Sequence, residues 1–170
     1  MVTEFDFILL NFIRDNLSGN FLDYLMKFIT HLGDGGGIWV ISAITLLCFR
    51  KTRRAGIWLA IALAVAAVLG DIVLKNIFTR MRPFAAANVP IIINPPGSYS
   101  FPSGHTGSSF AAATVLSGFY KKWAVLFYTV AALIAFSRVY LYVHYPSDIV
   151  GGVILGTFVG ISCIKLKNRW

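Results

Sequence analysis

The sequence predicts an all-α polytopic membrane bundle with six transmembrane helices and a short amphipathic N-terminal helix. Hydrophobic residues make up 57% of the chain and charged residues only 13%, and the mean hydropathy is +0.73. A soluble protein carries about 25% charged residues, so this chain has too little polar material to cover a surface that faces water. A soluble protein with a very large core is the weaker alternative, because the apolar stretches are long and uncharged. The length of 170 residues predicts a single domain over residues 1–170.

The predicted elements follow from where the apolar stretches fall. Residues 4–17 alternate apolar side chains with charged ones, which is typical of an amphipathic helix at a membrane interface. The six predicted spans cover residues 20–32, 38–49, 55–74, 103–120, 123–142 and 147–164. The stretch 55–74 is about long enough to cross the hydrocarbon core. No signal peptide is recognisable, so we expect the first hydrophobic hairpin to direct its own insertion.

The basic residues predict how the bundle is oriented. Clusters at 50–54, 121–122 and 165–169 contain nine of the fifteen Lys and Arg residues. If the spans alternate in direction, all three clusters lie on one side, which the positive-inside rule identifies as the cytoplasm. Both termini are then cytoplasmic. The polar loop at 80–102 and the turn near residue 145 lie on the opposite, outer side.

The net charge of +8 does not indicate a nucleic-acid-binding protein. The basic residues form short clusters between apolar stretches, rather than a basic face with interleaved aromatic residues. Such clusters orient helices and contact anionic lipids. Cys48 and Cys163 lie within apolar segments, and no CxxC or Cys/His cluster offers a zinc site.

Three blocks of polar residues lie at the predicted outer ends of the spans. In the first block, Lys75 and Arg82 are seven residues apart, about two helical turns, and so lie near one helix face. Arg138 places a third cation at the end of another span. Charges near a bilayer usually face a bundle interior or a polar cavity, and Asp71 and Asp148 are too few to neutralise these three. The pattern predicts a site for a multiply charged anion, and phosphate fits it.

Two histidines accompany these cations. Ser103 can serve as the N-cap of a predicted helix, and the backbone N–H groups around Gly104 would then point at an anion beside His105. His144 precedes Asp148 by four residues. The carboxylate can hold one imidazole nitrogen in its N–H form, so that the other presents a lone pair, as in a histidine nucleophile.

Each feature taken alone has a plainer interpretation. Lys75 can form an i, i+4 pair with Asp71, and Arg80 can contact lipid headgroups. The segment around His105 can be an ordinary helix start, and Asp148 can be a helix cap. Asp23, His31 and Asp34 have no assigned role, and packing or turn formation is the simplest one for Asp34.

Together the three blocks resemble the type 2 phosphatidic acid phosphatase superfamily, which includes bacterial lipid phosphatases and vanadium haloperoxidases. Its pattern is KX6RP, PSGH and SRX5HX3D. The residues that match its specified positions are Lys75, Arg82 and Pro83, then Pro102, Ser103, Gly104 and His105, and finally Ser137, Arg138, His144 and Asp148. The motifs span residues 75–148, and the six-span layout extends the resemblance across most of the chain.

The resemblance implies a role for each matching residue. His144 would attack phosphorus and form a phosphohistidine, while Asp148 orients its ring. His105 would act as general acid and then as general base. The resemblance also implies a phosphate-binding set, made of Lys75, Arg82, Ser103, Gly104 and Arg138. No metal or other cofactor is expected.

The resemblance also implies the substrate class and the location. We expect a lipid phosphate or diphosphate, with undecaprenyl diphosphate as the leading substrate, in the bacterial cytoplasmic (inner) membrane with the site facing the periplasm or cell exterior. Phosphatidylglycerophosphate, phosphatidic acid and lipid A remain alternatives, as does phosphate transfer between lipids. The hydrophobic composition disfavours a soluble haloperoxidase. A membrane scaffold or transporter is the non-enzyme alternative, and the intact set of His105, His144 and Asp148 disfavours it. The oligomeric state is left open.

Overall fold

The computed structural model describes residues 4–167, and all regular structure in that part of the chain is helical. The α-helices are α1 (Glu4–Leu17), α2 (Asn20–Leu32), α3 (Gly37–Cys48), α4 (Arg53–Ala67), α5 (Lys75–Phe78), α6 (Pro83–Ala86), α7 (Gly104–Phe119), α8 (Ala124–Tyr140) and α9 (Pro146–Lys167). Short 3₁₀ turns at Asp34–Gly36 and Lys121–Trp123 precede α3 and α8, and a π-helical segment at Val68–Leu74 joins α4 to α5. The predicted all-α class is confirmed.

The N-terminal helix α1 has an outward apolar face and a buried polar residue. Phe5, Ile8 and Phe12 are 64%, 63% and 60% exposed. Asp6 and Leu10, by contrast, are buried against the rest of the bundle. An exposed apolar face on a helix with charged flanks suits the membrane interface, which is the location that the sequence predicts for it.

Within residues 4–167, three segments are long and apolar enough to cross a membrane: Arg53–Ala86, Lys121–Tyr140 and Pro146–Lys167. A fourth candidate is the pair Asn20–Leu32 and Asp34–Cys48, which is bent by 47° at Gly33. Every predicted span therefore coincides with a helix, but α2 and α3 form one bent pair and α7 has only 16 residues. A count of six crossings stays a prediction. Within the predicted basic cluster at 165–169, Asn168 and Arg169 lie outside the described residues.

The outer surface of the bundle carries large apolar side chains, and its interior contains small residues. Large apolar side chains along the spans, such as Ile61, Ile154 and Phe158, are 41%, 65% and 67% exposed. In contrast, the fully buried residues include the run Ala111–Ala113 in α7. Membrane helices have no hydrophobic driving force toward one another in lipid, and small residues let their backbones approach closely. This distribution is the one expected for a bundle surrounded by lipid.

Helix α7 is the centre of the bundle and packs against α4, α8 and α9. Its contact with α9 depends on glycines spaced four residues apart. A Cβ atom at Gly156 would lie 2.8 Å from the Ala111 backbone nitrogen, and one at Gly160 would lie 3.1 Å from the Ala111 carbonyl oxygen. No side chain fits in that space, so the sequence of α9 lets the two backbones touch. The close contact fixes the N-terminal end of α7 beside the N-terminal end of α9.

The π-helical segment determines where the first cationic block points. The sequence predicts an uninterrupted span over residues 55–74, whereas the backbone widens to π geometry from Val68 to Leu74. Such segments interrupt α-helices frequently at functional sites. Helix α5 then ends at Phe78, and the next residue, Thr79, has a φ of 42°. Arg82, which precedes α6, is extended. Lys75 is thus on a helix and Arg82 is on the loop that follows it.

Candidate active site

The three motif blocks meet around a cavity of about 300 Å³ at one end of the bundle. Six of the eight predicted site residues line it: Lys75, Arg82, Gly104, His105, Arg138 and His144. The other two, Ser103 and Asp148, are fully buried behind the wall. Residues from three separate stretches of sequence therefore lie together around one cavity.

His144 lies in the short segment between α8 and α9 and is almost completely buried. Its Nδ1 is 3.4 Å from Asp148 Oδ2, and its Nε2 is 3.1 Å from an Arg82 terminal nitrogen on the cavity side. Because an ionised carboxylate only accepts hydrogen bonds, Nδ1 must carry the proton and Nε2 the lone pair. The structure therefore aims a nucleophilic nitrogen at the cationic cavity.

Burial lowers the pKa of His144 to about 3, and the neighbouring guanidinium groups of Arg82 and Arg138 act in the same direction. The hydrogen bond to Asp148 opposes these effects without overcoming them. An imidazole in such surroundings stays neutral at any physiological pH, since a charged ring would lose its hydration and face two cations. Neutral imidazole is the form that can attack phosphorus.

The carboxylate of Asp148 is held on every side. Oδ2 accepts hydrogen bonds from the Tyr145 backbone N–H at 2.8 Å and from the Ser100 hydroxyl. Oδ1 forms an ion pair with Arg80. These donors leave the carboxylate little freedom to rotate, so the ring of His144 is held as well.

Arg80 continues this network to the N-terminal helix. One terminal nitrogen donates to Asp6 Oδ2 in α1 at 2.8 Å, and the other donates to Ser147 Oγ at 2.8 Å. Asp6 in turn accepts from the Ser147 backbone N–H at 3.0 Å. The guanidinium also lies over the ring of Tyr145, 4.1 Å from its centroid. The interpretation of Arg80 as a headgroup contact is therefore wrong in this structure, because its side chain is directed into the protein.

Different contacts hold each of the three predicted cations at the cavity. Lys75 is paired with Asp71 at 2.5 Å, as its i, i+4 spacing allows, and still lines the cavity. Arg82 donates to the backbone oxygens of Ser98 and Val143 at 2.7 and 2.9 Å. Arg138, only 3% exposed, donates to Thr30. Two of the cations are thus anchored without a carboxylate partner within residues 4–167, and the cavity keeps an excess of positive charge.

The segment around Ser103 forms the start of α7. The Ser103 side chain accepts from the Thr106 N–H and so caps the helix, as predicted. Its oxygen also accepts from the Thr106 hydroxyl at 2.9 Å, and it does not line the cavity. Gly104 faces Asp71 closely, since a Cβ there would lie 2.7 Å from the carboxylate. A phosphate contact from Ser103 stays a prediction.

Asp34, to which the sequence analysis assigned no role, contacts the predicted catalytic residue His105. It lies in the 3₁₀ turn between α2 and α3, and its Oδ1 is 2.9 Å from His105 Nε2. Its Oδ2 is 2.7 Å from His31 Nδ1. The turn approaches His105 so closely that a Cβ at Gly33 would lie 2.7 Å from the ring. The sequence feature that could have identified this contact is a carboxylate in a glycine-rich turn at the predicted outer end of a span.

No cluster of three His, Cys, Asp or Glu side chains suited to a metal ion occurs within residues 4–167. The carboxylates nearest the cavity are instead engaged by basic groups: Asp71 by Lys75, Asp34 by two histidines, and Asp148 by Arg80 and His144. The donor set around the cavity is therefore suited to an anion.

Known proteins share both the motifs and this arrangement of helices. Residues 55–170 match the sequence pattern of the PAP2 superfamily. The chain belongs to the PAP2 superfamily. It is 34% identical over 149 residues to the undecaprenyl-diphosphatase of Sulfolobus acidocaldarius, which covers 86% of this chain and 71% of that protein.

Solved PAP2 structures share the fold. The crystal structure of LpxE from Aquifex aeolicus superposes with a TM-score of 0.81 at 30% identity and covers 96% of both chains. The transmembrane PAP2 type phosphatidylglycerolphosphate phosphatase from Bacillus subtilis superposes with a TM-score of 0.79 at 24% identity, covering 96% of this chain and 85% of the other; that likeness concerns the fold alone. The chain is thus an all-helical PAP2 membrane phosphatase, and the predicted family and enzyme class are confirmed.

Proposed function

We propose that this PAP2 phosphatase hydrolyses a lipid phosphate or diphosphate, preferentially undecaprenyl diphosphate, through a phosphohistidine at His144 Nε2. The observation that carries the proposal is the orientation of His144. Its Nδ1 faces Asp148 and its Nε2 faces a cavity lined by Lys75, Arg82 and Arg138. Phosphoryl transfer is catalysed mainly by positioning and by charge stabilisation, and this cavity provides both.

In the first step, Nε2 of His144 bonds to phosphorus and the bond from phosphorus to the leaving oxygen breaks. The electron pair stays on that oxygen, which takes a proton from His105. Lys75, Arg82 and Arg138 bind the nonbridging oxygens, together with the Gly104 N–H and Ser103. Their charges stabilise the negative charge of the transition state.

In the second step, water hydrolyses the phosphohistidine. His105, now unprotonated, accepts a proton from the water as its oxygen bonds to phosphorus. The phosphorus–nitrogen bond breaks, and its electron pair returns to the imidazole of His144. Asp148 stabilises the positive charge that the ring carries while it is phosphorylated. The cycle needs no metal ion.

Two observations support the choice of substrate and location. The relative from Sulfolobus acidocaldarius, 34% identical, is an undecaprenyl-diphosphatase. The cavity lies at the end of the bundle opposite the Arg50–Arg54 cluster, which follows α3 at its far end. By the positive-inside rule, this arrangement supports a cavity at the outer face of a cytoplasmic membrane. Phosphatidylglycerophosphate, phosphatidic acid and lipid A are the competing substrates.

The test is phosphate release by the purified chain in detergent, with EDTA present throughout, from undecaprenyl diphosphate and the three competing lipids. We expect the diphosphate to give the highest kcat/KM. His144→Ala should lower kcat by at least about a thousandfold, because no other group can form the covalent intermediate. The variant should elute from size-exclusion chromatography like the wild type.

When the reaction with ³²P-labelled substrate is stopped rapidly without acid, the wild type alone should retain label on the protein. This label should be lost in acid and stable in base. Activity of His144→Ala near the wild-type level would exclude this residue as the nucleophile. Activity that disappears in EDTA and returns with Mg²⁺ would replace the proposed mechanism by a metal-dependent one. Transfer of the label to a second lipid in place of water would identify a phosphotransferase.

A further inference from the structure

A second cavity, of about 450 Å³, adjoins the catalytic one on the side of α2. The two cavities share a wall made of His105, Arg138 and Pro96. The second cavity is also lined by Lys27 and His31, whereas His144 lines only the first. A group bound in the second cavity would therefore reach His105 from the side away from the nucleophile.

The second cavity carries unused positive charge. Lys27 is half-buried in α2, and within the described residues its ammonium group forms no hydrogen bond or ion pair. Arg138 is also in the wall, and its Nε is buried with no hydrogen-bond partner among residues 4–167. The carboxylate of Asp34 is occupied by His31 and His105, at 2.7 and 2.9 Å. The charge that remains favours an anion.

The in-line geometry of phosphoryl transfer indicates which anion would bind in the second cavity. In phosphoryl transfer the attacking and leaving oxygens or nitrogens lie roughly in line through phosphorus. With His144 on one side, the leaving group must lie on the other, next to the proton donor His105. From a monophosphate the leaving group is a neutral alcohol. From a diphosphate it is a phosphate monoester, which carries negative charge and needs a cationic partner.

We propose, resting on the proposed function above, that Lys27, assisted by His31, binds the departing phosphate of a lipid diphosphate and so selects diphosphates over monophosphates. When the terminal phosphoryl group moves to His144, the bridging oxygen keeps the electron pair and takes the proton of His105. The charge of the departing phosphate is then shared between Lys27 and Arg138. Lys27 contributes nothing to a monophosphate, because no charged group occupies its cavity.

The test compares farnesyl diphosphate with farnesyl phosphate, two probes that share one lipid tail. We expect Lys27→Met to lower kcat/KM for the diphosphate by about tenfold or more, the loss expected for one contact between charged groups. The same variant should change kcat/KM for the monophosphate by less than about twofold. Lys27→Arg should recover most of the activity on the diphosphate, since it restores the charge.

Lys51→Met is the matched control, because Lys51 is an exposed cation in the turn between α3 and α4, far from the cavities. It should leave both substrates unaffected. Three outcomes would overturn the subsite. Lys27→Met could lose activity equally on both substrates or on neither, or the wild type could cleave only the monophosphate. In all three cases the proposed phosphatase stands if the wild type is active and His144→Ala is not. A wild type inactive on both probes and on the lipid panel would reject the proposed function itself.

Discussion

At the scale of single residues, Arg80 has the clearest positioning role outside the motif residues. It bridges the carboxylate of Asp148 and that of Asp6, and its guanidinium is almost fully buried. A planar guanidinium holds two carboxylates on separate nitrogens in a fixed geometry, which the single nitrogen of a lysine does not reproduce. Arg80 does not line the catalytic cavity, so any effect on turnover must pass through Asp148 and His144.

We therefore expect Arg80→Lys to lower kcat by about tenfold and to leave KM within about twofold, because it loosens the orientation of the nucleophile without touching the substrate. Steady-state kinetics on one lipid substrate measures both constants. Arg53→Lys, at an exposed residue at the start of α4, is the control and should match the wild type. An unchanged kcat, or an increase confined to KM, would contradict this role.

From the sequence, the motif residues could be assigned to one side of the bundle, whereas the contacts that support them could not, for a physical reason. The three motif blocks lie at or just beyond the predicted outer ends of the spans, so they could be assigned to the same side of the bundle. One partner of Arg80, by contrast, is Asp6, 74 residues earlier in the chain. A pairing of that kind depends on how α1 docks, which no local pattern encodes.

At the scale of elements, the contact between α7 and α9 controls the position of the Ser103–His105 segment. A Cβ at Gly152 would lie 2.8 Å from both the Ser103 carbonyl oxygen and the Thr106 Cβ. One of these atoms belongs to the backbone that begins α7, so the added methyl group can be accommodated only if that helix start moves. The same helix start carries His105 and the Gly104 N–H.

Gly152→Ala should accordingly reduce kcat/KM by about tenfold to a hundredfold, since displacements near 1 Å in a catalytic group have effects of this size. The protein should still be found in the membrane fraction and elute as a single species. Gly19→Ala is the control, because a Cβ there meets nothing within 4 Å, and it should retain wild-type activity. Full activity of Gly152→Ala would show that the helix contact tolerates the shift.

Hydropathy located the helices and the break between residues 32 and 38, but it did not predict the 47° bend of that pair or the π-helical segment. The bend at Gly33 and the π-helical segment at Val68–Leu74 both lie where the chain passes the cavity. Apolar periodicity reports which residues avoid water, and it is the same for a straight span and a broken one. At each break the backbone lies close to a group at the cavity. Gly33 lies against the ring of His105, and the π-helical segment contains Asp71, which pairs with Lys75.

At the scale of the whole molecule, charge and apolar surface together determine how the protein lies in a membrane. The large exposed side chains along the spans are apolar. The basic residues at 50–54 and 121–122, with Lys165 and Lys167, lie at the helix ends opposite the cavity. Placing the cavity end in the cytoplasm would put those clusters outside, against the positive-inside rule. The proposed orientation therefore rests on the distribution of charge over the molecule rather than on any one residue.

Cys48 can report this orientation. It is exposed at the end of α3, next to the basic cluster that begins at Arg50, whereas Cys163 is buried. We expect a membrane-impermeant maleimide to label the protein only after cells are permeabilised, and Cys48→Ser to remove the label. In that background, Gly97→Cys should be labelled in intact cells, because Gly97 lies in the exposed loop beside the cavity, where a Cβ meets nothing within 4 Å. The reverse pattern would place the active site in the cytoplasm and exclude a substrate presented on the outer face.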